Sequence, residues 1–85
     1  MNPLNLRVGS MVEVTSSDRK QIMTYTGNIP LPAIIKCMSV KDEIYVFEYD
    51  NVEFHWFFSR VEEYLVSKEF EFRKIGCKYR RQNGT

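Results

Sequence analysis

Few side chains in this sequence are suited to nucleophilic, acid–base or metal chemistry: one histidine, His55, and two cysteines, Cys37 and Cys77. The cysteines stand forty residues apart, so they lack the close pairing of a zinc knuckle or a redox CxxC, and a Cys/His zinc site would need ligands that only folding could assemble. Both thiols are expected to be reduced, with Cys37 a small core residue. His55 sits between Phe54 and Trp56 and falls, with Phe57, on the opposite face of a strand, as a surface or partly packed side chain. Glu62 and Glu63 are adjacent, would point to opposite faces of a strand, and are expected to be solvated. No GxxxxGK[ST], HExxH or GxSxG pattern is present. The expectation is a protein that is not an enzyme and has no cofactor or metal.

Recognition chemistry is concentrated in Ile44 to Phe58, IYVFEYDNVEFHWFF, which holds seven of the twelve aromatic residues around a polar break at Asp50-Asn51. Read as two strands and a tight turn, it places Tyr45, Phe47 and Tyr49 on one face of the first strand and Phe54, Trp56 and Phe58 on one face of the second. Most of these rings are needed to fill the core of a small domain. The surplus, Tyr45, Tyr49 and Trp56, flat with polar edges, forms a candidate partner-binding surface for a cation, a base or a peptide.

The elements that must position this hairpin belong to one domain, because 85 residues bury only about 60% of their unfolded surface. Residues 1–81 are expected to form it, with 82–85 a fraying tail. A hydrophobic fraction of 44% and a charged fraction of 27% are those of a globular protein. No apolar run approaches the roughly 20 residues of a membrane helix, and MNPLNLRVGS lacks the features of a signal peptide, so a cytoplasmic location is expected. The net charge of +1 conceals an asymmetry: residues 1–66 carry six Lys/Arg against nine Asp/Glu, and residues 67–85 carry six against two. The basic segment offers Arg73, Lys74, Lys78, Arg80 and Arg81 as candidate phosphate contacts.

Along the chain, Met11 to Val14 reads as a first strand after Gly9, and Arg19 to Tyr25 as a strand or ordered loop. Gly27 to Pro32 cannot be a central strand, because each proline removes a ladder donor, and it reads as a loop. Ala33 to Ser39 is the next strand, followed by a turn at Lys41-Asp42 and the aromatic hairpin. Ser59-Arg60 reads as a short turn before a last strand ending near Val66. Residues 67–81 leave two readings open. Ser67 as N-cap and Gly76 as C′ argue for a helix, whereas the alternation of KEFEFRK argues for a hairpin of Glu69–Arg73 against Cys77–Arg81.

This order of elements resembles an SH3-like or Tudor-like small barrel: a Gly-led strand, a long first loop, three closely spaced strands and a brief turn before a last strand. Phe47-Glu48-Tyr49-Asp50-Asn51-Val52-Glu53 looks like the Tudor strand–turn–strand centre, which implies recognition of methylated side chains, although the usual turn glycine is missing. Leu6-Arg7-Val8-Gly9, Arg60-Val61-Glu62-Glu63-Tyr64-Leu65 and the stretch from Ser67 to Gly76 are also similar to small uncharacterised phage and mobile-element proteins of gut bacteria. In that family the last stretch is a short helix closed by glycine. This resemblance implies a fold without a reaction.

The resulting expectation is a mainly β, SH3-like barrel of about five antiparallel strands with a short C-terminal helix. Its function would be protein–protein interaction through the aromatic surface, with nucleic-acid binding through the barrel face and basic segment as the alternative. A homodimer that buries a strand edge or the surplus aromatics is a third possibility.

Overall fold

In the computed structural model, which describes residues 1–77, seven strands and one helix follow in the order β1 (Ser10–Thr15), β2 (Gln21–Thr24), β3 (Gly27–Pro30), β4 (Ala33–Lys41), β5 (Ile44–Tyr49), β6 (Val52–Phe57), α1 (Phe58–Ser67) and β7 (Glu71–Cys77). Five of the strands form one antiparallel sheet in the order β6-β5-β4-β1-β7, and β2 and β3 pair as a separate hairpin. The mainly β class and the antiparallel sheet agree with the sequence reading. Barrel closure does not: β6 and β7 remain edges of an open sheet. Side chains, rather than a main-chain ladder, span from one edge to the other. Trp56 of β6 lies 6.2 Å from Phe72 of β7, and Tyr64 of α1 contacts both rings.

Period-two patterning fixes the inner face. Val12 and Val14, Ile35 and Cys37, Tyr45 and Phe47, and Phe54 and Trp56 are all buried, while their sequence neighbours turn outward. β5 and β6 pair in register, Tyr45 opposite Trp56 and Phe47 opposite Phe54, about a two-residue turn at Asp50-Asn51. Both turn residues have positive φ, 54° and 66°, the backbone of a type I′ hairpin. Asp42-Glu43, between β4 and β5, repeats that conformation at 56° and 61°.

The segment read as a proline-containing loop is in part a strand. β3 ends at Pro30 and pairs only with β2, placing Ile22 opposite Ile29 with both buried. The proline therefore never enters the main sheet, which agrees with its missing donor. Thr24 Oγ1 donates to the Gly27 carbonyl at 2.6 Å and tightens the β2–β3 turn.

Two local expectations are overturned after Phe57. The predicted last strand over Arg60 to Val66 is helix α1, whose buried residues Phe58 and Val61 and half-buried Tyr64 recur at helical spacing. Ser67 then terminates this helix instead of capping a new one: its hydroxyl donates to the Tyr64 carbonyl at 3.2 Å, and Lys68 follows in the left-handed conformation at φ 61°. The C-terminal helix is replaced by β7, which runs on through the hairpin turn expected near Ile75-Gly76, while residues 78–81 of that hairpin lie outside the described residues. β7 pairs with β1 from Thr15–Glu71 to Ser10–Cys77, with a bulge that brings Gly76 opposite Met11 at φ 156°. Strict alternation in KEFEFRK was the correct signal, and Phe70 and Phe72 are its inward residues.

Candidate binding cleft

The predicted aromatic surface divides sharply on folding. Tyr45 and Trp56 are 0% and 1% exposed, so neither ring is available to a partner on the folded surface. Tyr45 packs against Phe47 and Phe58 at 5.2 and 4.7 Å, and Trp56 packs edge-on against Phe47, Phe54 and Tyr64. They were selected for their polar edges, but the parity of the strand directs them inward with Phe47 and Phe54. Tyr49 is half-buried and lines a cleft of about 160 Å³ with Asn28 and Val52, where the β2–β3 turn meets the β5–β6 turn.

Of the basic segment, Arg73 and Lys74 lie on β7 with their charges already engaged. The Arg73 guanidinium donates to Glu13 Oε1 at 2.5 and 3.2 Å across the β1–β7 ladder, and Lys74 Nζ donates to the Asn5 carbonyl at 3.0 Å. Lys78, Arg80 and Arg81 lie outside the described residues.

His55 faces outward as expected and meets Tyr25 edge-on at 6.1 Å. Cys37 is fully buried, its thiol pointing at the Ser39 carbonyl, and burial pushes that thiol up to about 11. Burial likewise raises the Tyr45 hydroxyl above its ordinary range, partly offset by its hydrogen bond with Leu4. Both groups stay protonated and structural. Among the described residues, no group of three or more His, Cys, Asp or Glu side chains is arranged to hold a metal, and no helix is long and apolar enough to cross a membrane.

A concave surface of different composition lies between the hairpin and the helix. Residues 18–21, Met23 and Asn28 form one wall, Arg60 and Tyr64 of α1 the other, and Glu69 and Phe70 one end, enclosing about 620 Å³. Its apolar part is Met23, 66% exposed, with the edges of Tyr64 and Phe70, whose rings meet edge-on at 4.9 Å. Arg19 crosses the end to Glu69 at 2.6 Å, which ties the β1–β2 loop to the start of β7. Two further features fix the wall. Ser16 Oγ accepts from the Asp18 and Arg19 amides at 3.2 and 3.0 Å, and the Leu31 amide donates to the Lys20 carbonyl at 2.8 Å.

None of these lining residues belongs to the predicted site. The usable signals were modest: alternation in residues 19–25 turns Met23 outward, and the spacing of Phe58, Val61 and Tyr64 is helical. No protein-family model matches the chain, and no curated protein or solved structure matches it significantly.

Proposed function

We propose that the protein is a non-catalytic binding module that engages a protein partner through the cleft between the β2–β3 hairpin and α1. The observation that carries this reading is the pairing of an exposed apolar residue, Met23, with half-buried Tyr64 across a concavity of about 620 Å³. Binding sites are typically concave, partly apolar and rimmed by a few convergent polar groups, and this cleft has all three properties. The aromatic recognition expected from the sequence is thereby moved from Tyr45 and Trp56 to the hairpin–helix junction.

Engagement of Arg73 by Glu13 and of Lys74 by the Asn5 carbonyl weighs against the nucleic-acid alternative for those two residues. The test is site-specific photocrosslinking in native lysate. A photoreactive residue at Met23 should yield a discrete protein adduct, and one at Ile34, exposed on β4 and outside the cleft lining, should not. Equal labelling from both positions, or none from Met23, contradicts the reading.

A further inference from the structure

We infer that the partner segment taken by this cleft is an acidic peptide, rich in carboxylates and carrying one apolar side chain; the inference rests on the binding reading above. The reasoning is an inventory of donors and acceptors around the lining. Arg19 and Glu69 satisfy one another at 2.6 Å and contribute no net charge. Lys20 and Arg60 remain, both exposed and neither with a side-chain hydrogen bond or ion pair among the described residues. The Tyr64 hydroxyl is a third donor without a partner among those residues. Against these stands one unpaired carboxylate, Asp18.

Gln21 and Asn28 each add one acceptor oxygen and an NH2 group with two donors, so the lining stays richer in donors than in acceptors, and carboxylates supply acceptors without donors. Lys20 projects from the hairpin side and Arg60 from the helix, so an extended chain lying between them meets a cation on each flank. Met23 offers apolar surface for one aliphatic side chain of that peptide.

A nucleic-acid strand suits the site less well. Arg73 and Lys74, the two basic residues of β7, are bound within the molecule, so among the described residues this strand does not extend the charge of the cleft along a phosphate backbone. The Tyr64 ring is also taken up by Trp56, Phe70 and Phe72, which leaves it poorly placed to stack on a base.

The experiment uses the full chain, isotope-labelled, with fluorescent peptides in three versions: Asp/Glu residues around a single Leu, the same peptide with Asn/Gln, and the same with Lys/Arg. An oligo-dT strand is the fourth ligand. The acidic peptide should bind about tenfold more tightly than the neutral one, as two partly exposed charge contacts permit. It should also shift the Met23 methyl and the Lys20 and Arg60 amides. The double variant Lys20→Glu, Arg60→Glu should invert the preference toward the basic peptide at unchanged melting temperature. Equal or tighter binding of the neutral or basic peptide, or of oligo-dT, at these same resonances overturns the acidic preference and leaves the binding cleft standing. If no ligand shifts these resonances, both readings fall.

Discussion

The hydroxyl of Tyr45 donates to Asn2 Oδ1, 43 residues away in sequence, and accepts from the Leu4 amide at 3.0 Å. Asn2 in turn brackets Leu6, its amide donating to the Leu6 carbonyl at 2.7 Å and its Oδ1 accepting from the Leu6 amide at 3.0 Å. One side chain therefore gives the N-terminal segment the hydrogen bonds a neighbouring strand would otherwise supply, and Leu6 is delivered into the core. The polar edge that makes Tyr45 look like a recognition residue is the strut of this strap.

Tyr45→Phe should accordingly loosen residues 2–6 while keeping the sheet. The expected cost is about 1–2 kcal/mol, because Asn2 Oδ1 and the Leu4 amide each lose a partner in a partly buried setting. Amide exchange at Leu6 should accelerate more than at Phe47. Uniform acceleration across both would mean that the hydroxyl does not act on the strap.

Truncation of Trp56 tests its assignment to the core. Burying such a ring and then deleting it costs about 3–5 kcal/mol, a large share of what a domain of this size has in total. Trp56→Ala should be largely unfolded at room temperature by circular dichroism, whereas Tyr49→Ala, at a half-buried position, should retain a cooperative melt. A Trp56→Ala variant with wild-type melting temperature would return that ring to the surface.

Alternation groups Tyr45 with Phe47 and Phe54 with Trp56 on shared strand faces, and that grouping was legible in the sequence. Which rings of such a face stay exposed is set by what packs over it, so Tyr45 and Trp56, read as surface residues, are in fact buried. Helix α1 was hidden at both ends. Its N-cap is Phe57, which makes no side-chain cap, and it stops at a left-handed Lys68 where glycine is the usual signal. Ser67 and Gly76 meanwhile imitated the caps of a helix that does not form, one bonding back to Tyr64 and the other serving the β1–β7 bulge. The cleft could not be read at all from local pattern. Met23, Arg60 and Phe70 come from three separated segments, and only the docking of the hairpin beside α1 brings them to one concavity.

Backbone strain at non-glycine positions should be removable. Glu43 and Lys68 hold φ of 61° each, a region that costs an L-residue about 1 kcal/mol and glycine little. Glu43→Gly and Lys68→Gly should each raise the urea midpoint by the equivalent of up to about 0.5 kcal/mol, once the greater freedom of glycine in the unfolded chain is deducted. Gly76→Ala should do the reverse. Its φ is 156° and no atom lies within 4 Å of an added Cβ, so any loss at that site reports backbone strain alone. Unchanged midpoints in all three variants would show that these conformations carry no strain.

Alkaline pH should destabilise the protein through Cys37. Its thiol titrates near 9.0 in the unfolded chain and at about 11 when buried in the fold, so the folded state holds the proton more tightly. The associated stability is complete below about pH 9 and is lost as pH rises toward 11, because only the unfolded chain ionises in that window. By about pH 10 the loss should be on the order of 1.4 kcal/mol. Tyr45, raised in the same direction by burial, adds to the loss at the upper end of the range. Urea midpoints of wild type and Cys37→Ala should therefore converge as pH rises from about 8 to about 10.5, the variant being less stable at the start because of the methyl-sized void it leaves. Parallel curves would mean that the thiol ionises alike in both states.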